Sequence, residues 1–87
     1  MTLAGRPIQR SGDAPLPPAQ ARKVELGHLL KGQYIQAQGG PLEISWNGKD
    51  WLLVPVGPPQ LFLVSEPFVL VRATSGQARF SVLGVLV

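Results

Sequence analysis

Apolar positions along this chain fall into short runs, some alternating and some continuous, set apart by Gly, Pro and Asn. That spacing predicts strands. The clearest local pattern is Leu42–Trp46 and Trp51–Val56 flanking Asn47-Gly48-Lys49-Asp50. Asn-Gly suits a type I′ turn, because both residues tolerate positive φ. With those two at the turn centre, Ile44 opposes Trp51 and Leu42 opposes Leu53. One face then carries Leu42, Ile44, Trp46, Trp51 and Leu53, and the other carries Glu43, Ser45 and Asp50. A hairpin buried on one side has this alternation.

The flanking segments read in the same way. Arg22–Lys31 alternates at Val24, Leu26, His28 and Leu30, although Leu26, Leu29 and Leu30 would also line a short helix; Gly27 and Gly32 favour a strand or an irregular edge. Tyr34–Gln38 alternates with Gln33, Gln36 and Gln38 as polar companions, and Gly39-Gly40-Pro41 predicts a turn. Past Gly57-Pro58-Pro59 come Leu61–Ser65 and Phe68–Thr74, divided by Glu66-Pro67. Ser75-Gly76 then turns the chain into Gln77–Val87, an arrangement that would set Arg72 opposite Arg79. Strands at this spacing predict a sandwich or a barrel.

Met1–Gln20 has a different character. Pro7, Pro15, Pro17 and Pro18, with Gly5 and Gly12, leave no regular period, so residues 1–22 are expected to be an extended or disordered arm ahead of a β-domain at residues 23–87. Leu3, Ile8 and Leu16 are the anchors such an arm could lay along a neighbouring subunit, where proline lowers the entropy lost on docking. The expected fold class is all-β: a small antiparallel β-sandwich or jelly-roll-like domain behind that proline-rich arm.

Composition sharpens this picture. The 37 residues from Trp51 onward hold 21 apolar residues and only three charges, whereas the first 50 hold 18 apolar residues and ten charges. A chain of this length buries only about 60% of its unfolded surface. It has no cysteine to staple it. Leu61-Phe62-Leu63-Val64 and Phe68-Val69-Leu70-Val71 are apolar on both faces, so a second surface is expected to cover them. Leu61, Leu63, Phe68, Leu70 and Leu86 join Leu3, Ile8 and Leu16 as candidate interface residues, and a homo-oligomer is expected. Met1–Ala21 lacks an apolar core of the signal-peptide kind, and prolines interrupt the apolar half too often for a membrane helix, so no leader and no membrane partner are expected.

Candidate chemistry is sparse. His28 is the only histidine and lies between leucines; the five carboxylates are scattered without acid/base or metal-ligand spacing, and no glycine-rich phosphate loop is present. No catalytic, cofactor-binding or metal site is therefore expected. Trp46 and Trp51 with Lys49 could form a base-stacking platform, but their shared face with Leu42, Ile44 and Leu53 argues for core packing. The net charge of +3 falls short of a nucleic-acid-binding footprint.

Ile44-Ser45-Trp46-Asn47-Gly48 followed by Trp51-Leu52-Leu53 is similar to a hairpin of small all-β virion proteins of tailed bacteriophages. Val69–Gly76 followed by Ala78–Gly84 resembles their closing hairpin. These are head-decoration (cement) or head-fibre proteins, and the resemblance covers Gln33 to Val87. It implies a non-enzymatic structural protein of the virion, forming trimers or other symmetric clusters and attaching to the major capsid protein or another virion protein. It transfers no individual functional residue. The alternatives are a neck or tail component of a virion, a subunit of a cellular complex in the cytoplasm, and a small OB or SH3-like barrel binding single-stranded nucleic acid.

Overall fold

The computed structural model describes residues 8–27 and 30–86. Eight strands follow one another: β1 (Ile8–Ala14), β2 (Arg22–Glu25), β3 (Leu30–Gln38), β4 (Leu42–Ser45), β5 (Leu52–Val54), β6 (Gln60–Phe62), β7 (Phe68–Ala73) and β8 (Ala78–Leu86). They build two four-stranded sheets, sheet I in the order β1-β8-β3-β6 and sheet II in the order β2-β7-β4-β5. Every strand pairing is antiparallel.

The pairing has a simple logic. β4 pairs with β5, β3 with β6, β2 with β7 and β1 with β8. The chain is thus one long hairpin, doubled back between β4 and β5 and then rolled into two sheets. The roll is closed by β3 on β8 and β4 on β7. This strand order is that of an eight-stranded jelly roll.

Alternation explains which side of each strand is buried. β7 puts Val69, Val71 and Ala73 inward, and β8 puts Ala78, Phe80 and Val82 inward. Leu42, Ile44 and Val54 meet Ile35, Ala37 and Phe80 in one core between the sheets. Burying a side chain of this kind contributes about 1.5–3 kcal/mol. Gln33 is the exception on the inner face. Its side chain is fully buried, and its Nε2 donates to the carbonyls of Glu66 at 2.9 Å and Phe68 at 3.2 Å, fixing the β6–β7 connection.

Three sequence expectations need correction. Residues 8–14 are not part of a separate arm. They form β1, paired with β8 along its whole length from Ile8↔Gly84 to Ala14↔Ala78, and Ile8 packs against the chain's own core. Gln9-Arg10-Ser11-Gly12-Asp13 shows no period because β1 is an edge strand held mainly by its backbone ladder. Leu3 lies outside the described residues.

The second correction concerns Ser75-Gly76. It does not close a hairpin, since β7 and β8 belong to different sheets. Arg72 and Arg79 therefore do not oppose each other; Arg72 stands across from Glu43, and Arg79 across from Asp13 and Gln38.

The third concerns the β4–β5 hairpin, which exists but is shifted by one residue. Leu42 pairs with Val54, Glu43 with Leu53 and Ile44 with Leu52. Among the described residues none other than glycine has positive φ, so Asn47 does not adopt the type I′ conformation; within this dipeptide only Gly48, at φ 78°, has positive φ. Side chains stitch a longer turn instead. The Ser45 hydroxyl accepts from the Asn47 and Gly48 amides, and Asn47 Oδ1 accepts from the Lys49 and Asp50 amides. A one-residue shift exchanges the faces of a strand. Val54 consequently enters the core, while Trp51 and Leu53 move outside.

Deleting Met1–Gln20 removes β1 and should destabilise the domain by several kcal/mol, each backbone hydrogen bond being worth about 1 kcal/mol net. Urea denaturation monitored by circular dichroism checks this, and an unchanged midpoint would count against the β1–β8 pairing.

Candidate interaction surface

The two outer faces of the sandwich are finished differently. On sheet II, cross-strand pairing sets Glu43 opposite Arg72, and the Arg72 Nε donates to Glu43 Oε1 at 2.8 Å. The same guanidinium lies 3.7 Å from the centre of the Trp51 ring, which the register shift has placed on this side. Lys23 extends over the Phe68 ring at 4.9 Å. Gly48 of the β4–β5 turn lies over Leu70, close enough that an added Cβ would come within 3.7 Å of a Leu70 methyl. Phe68 and Leu70 are half-buried beneath these groups. The chain itself thus supplies much of their cover.

The outer face of sheet I is built from cross-strand rows. One row runs through all four strands as Gln9, Leu83, Tyr34 and Leu61; the next holds Ser11, Ser81 and Gln36; a third holds Asp13, Arg79 and Gln38. Only the third row carries charge, and its ion pair is loose, at 3.9 Å. An open depression of about 480 Å³ lies over the first two rows, lined by Gln9, Tyr34, Gln36, Pro59, Ser81 and Leu83. It holds no charged group. Its amides are partly engaged, Gln36 Nε2 donating to the Gly57 carbonyl at 3.0 Å.

The strongest contrast is between the two rims. Where β1 and β2 form the edges, the surface carries Arg10, Asp13, Arg22, Lys23 and Glu25. Arg22 lies over the Phe80 ring at 5.3 Å and closes that end of the core. Where β5 and β6 form the edges, the fifteen residues Trp51–Ser65 contain no charge at all. Five of the seven exposed large hydrophobics among the described residues lie there: Leu52, Leu53, Val56, Leu61 and Leu63, the last 80% exposed. Pro55, Pro58 and Pro59 lack an N–H, which limits plain strand addition along this rim. What remains available is side-chain burial.

The sequence-derived candidates are thereby separated. Leu61 and Leu63 lie exposed at the β6 edge, and Leu16 is exposed in the β1–β2 connection. Ile8 and Leu86 pack half-buried against the core. Leu3 and His28 fall outside the described residues. The structure adds Tyr34, Leu52, Leu53 and Val56 to the exposed apolar set. The uncharged run from Trp51 to Ser65 was the available sequence signal, and the expected hairpin register hid it by sending Leu53 inward.

Trp46, expected in the core, packs half-buried on Phe62 with ring centres 5.7 Å apart, whereas Trp51 lies outside under Arg72. Among the described residues no three His, Cys, Asp or Glu side chains cluster as metal ligands, and no helix is long and apolar enough to cross a membrane. No protein-family model matches the chain, and neither does any curated protein or solved structure.

Arg72→Ala should cost about 1–2 kcal/mol, the sum of an ion pair and a cation–π contact at a partly exposed site. In a Trp46→Phe background, where Trp51 is the sole tryptophan, its emission should shift to the red. Unchanged emission would remove the stacked arginine from the account.

Proposed function

We propose that this protein is a non-enzymatic structural subunit whose jelly-roll domain associates with further copies of itself through the uncharged β5–β6 rim. We further propose that the assembly belongs to a virion, where it decorates or cements the capsid. The observation that carries the first part is the asymmetry of the rims. Copies of a chain with net charge +3 repel one another in general. They can approach with least electrostatic cost where neither presents a charge, and there each also offers exposed leucines and a valine.

The energetics favour repetition. Each leucine fully buried at an interface contributes about 1.5–3 kcal/mol, before the entropic cost of association is subtracted. A modest contact repeated around a closed symmetric ring becomes collectively strong, and a trimer is the arrangement that the resemblance to head-decoration proteins favours. Support for the virion setting comes from the resemblance at Ile44–Leu53, since the closing hairpin it included does not form, and from the strand order, viral capsid domains being among the users of the jelly roll.

The nucleic-acid reading gains nothing comparable. The two tryptophans that would stack bases are already engaged, one by Arg72 and the other by Phe62.

Light scattering on the purified protein should report an oligomer. Leu61→Asp combined with Leu63→Asp should reduce it to a monomer with an unchanged circular dichroism spectrum, because both side chains are exposed. A wild-type monomer, or an oligomer indifferent to both aspartates, would contradict self-association through this rim. The virion setting is tested separately: the protein should co-purify in stoichiometric amounts with a particle, and recovery only outside particles would argue against it.

A further inference from the structure

The β4–β5 turn contains Asn47-Gly48, a dipeptide open to a specific self-modification. The Gly48 amide nitrogen can attack Asn47 Cγ, because glycine has no side chain to obstruct the approach. A bond forms from that nitrogen to Cγ, the Cγ–Nδ2 bond breaks, and ammonia leaves carrying the amide proton. Water then opens the succinimide ring to aspartate or isoaspartate. Asn47 and Gly48 are both exposed, so water has access to the site.

The geometry treats the two reacting partners in opposite ways. Asn47 Oδ1 accepts three hydrogen bonds, from the Ser45 hydroxyl at 3.0 Å and the amides of Lys49 at 2.7 Å and Asp50 at 2.8 Å. Donors in that position would stabilise the negative charge that develops on the oxygen during attack. Asn47 Nδ2, the leaving nitrogen, donates to Asp50 Oδ2 at 2.7 Å. The electrophile is therefore primed. The nucleophile is held back, because the Gly48 N–H donates to Ser45 Oγ at 2.8 Å and must give up that bond before its nitrogen can attack. Ser45 is fully buried at the end of β4, so its hydroxyl is fixed where it can hold that amide.

We infer that Ser45 is a lock on Asn47-Gly48: its hold on the Gly48 amide outweighs the one hydrogen bond it gives Asn47 Oδ1, which the amides of Lys49 and Asp50 keep primed without it. The lock matters for the fold. Conversion would place a carboxylate beside Asp50, where the amide of Asn47 now donates, or insert an extra backbone carbon as isoaspartate. Either product would loosen the turn that lies over Leu70 and sets the β4–β5 register.

The test is peptide mapping for isoaspartate and aspartate at position 47 after incubation at mildly alkaline pH, with the native protein and the urea-unfolded chain compared. The native protein should react at least about tenfold more slowly than the unfolded chain, the scale set by breaking well-formed hydrogen bonds before attack. Ser45→Ala, confirmed folded by circular dichroism, should react at close to the unfolded rate. Ser45→Thr keeps the hydroxyl and should stay slow, which preserves the test if Ser45→Ala does not fold. Equal rates in native and unfolded wild type, a slow folded Ser45→Ala, or a fast folded Ser45→Thr would each overturn the proposal.

Discussion

The antiparallel pairing of the first half of the chain with the second is the constraint on which the rest depends. β4 on β5 sets it, and each later pair, β3 on β6, β2 on β7 and β1 on β8, extends the same doubled ribbon. Rolling that ribbon brings Phe80 and Val82 into one core with Val69 and Val71. A small chain without disulfides gains a closed core in this way, since the pairs reinforce one another from the centre outward. It also leaves four edges, and the chain treats them unequally: charge lines β1 and β2, whereas β5, β6 and their connection carry exposed aliphatic side chains and the connection's prolines.

The turn at Ser45–Asp50 has two consequences. It decides which residues of β5 are buried, and through them it decides the character of a face. Had Asn47-Gly48 formed the tight turn its sequence suggests, Trp51 and Leu53 would have entered the core and Val54 would have left it. The side-chain hydrogen bonds of Ser45 and Asn47 lengthen the turn and reverse that choice. Trp51 then becomes the platform for Arg72, and Leu53 becomes part of the exposed rim.

How much of this was legible in the sequence follows from the range of the interactions involved. The alternation in β4 is local, and it correctly marks Leu42 and Ile44 as inward-facing, whereas β7 is apolar on both faces and spacing alone does not say that Val69 and Val71 face the core. The position of the β4–β5 hairpin is also local, but its register rests on a side-chain network that spacing alone does not reveal. β1 is less visible still. Its polar run Gln9–Asp13 has no periodicity, and only the distant ladder on β8 makes it a strand. The Ser75-Gly76 segment looks like a hairpin turn because turn chemistry does not distinguish a return within one sheet from a crossing to the other. For the candidate surface, Leu61 and Leu63 could be read from a run apolar on both faces, whereas Leu52, Leu53 and Val56 could not be placed without the register. Phe68 and Leu70 looked equally available, and only the structure shows Lys23 and the Gly48 turn lying over them.

Under the proposed self-association, the β5–β6 rim is buried between copies of the chain. Hydrogen–deuterium exchange measured across a range of protein concentrations tests it most directly, because amide protection reports burial segment by segment. Protection in Leu52–Val56 and Leu61–Val64 should rise with concentration, while the charged β1 and β2 edges should stay unchanged. Protection independent of concentration throughout the chain, or a rise confined to β1 and β2, would contradict the account.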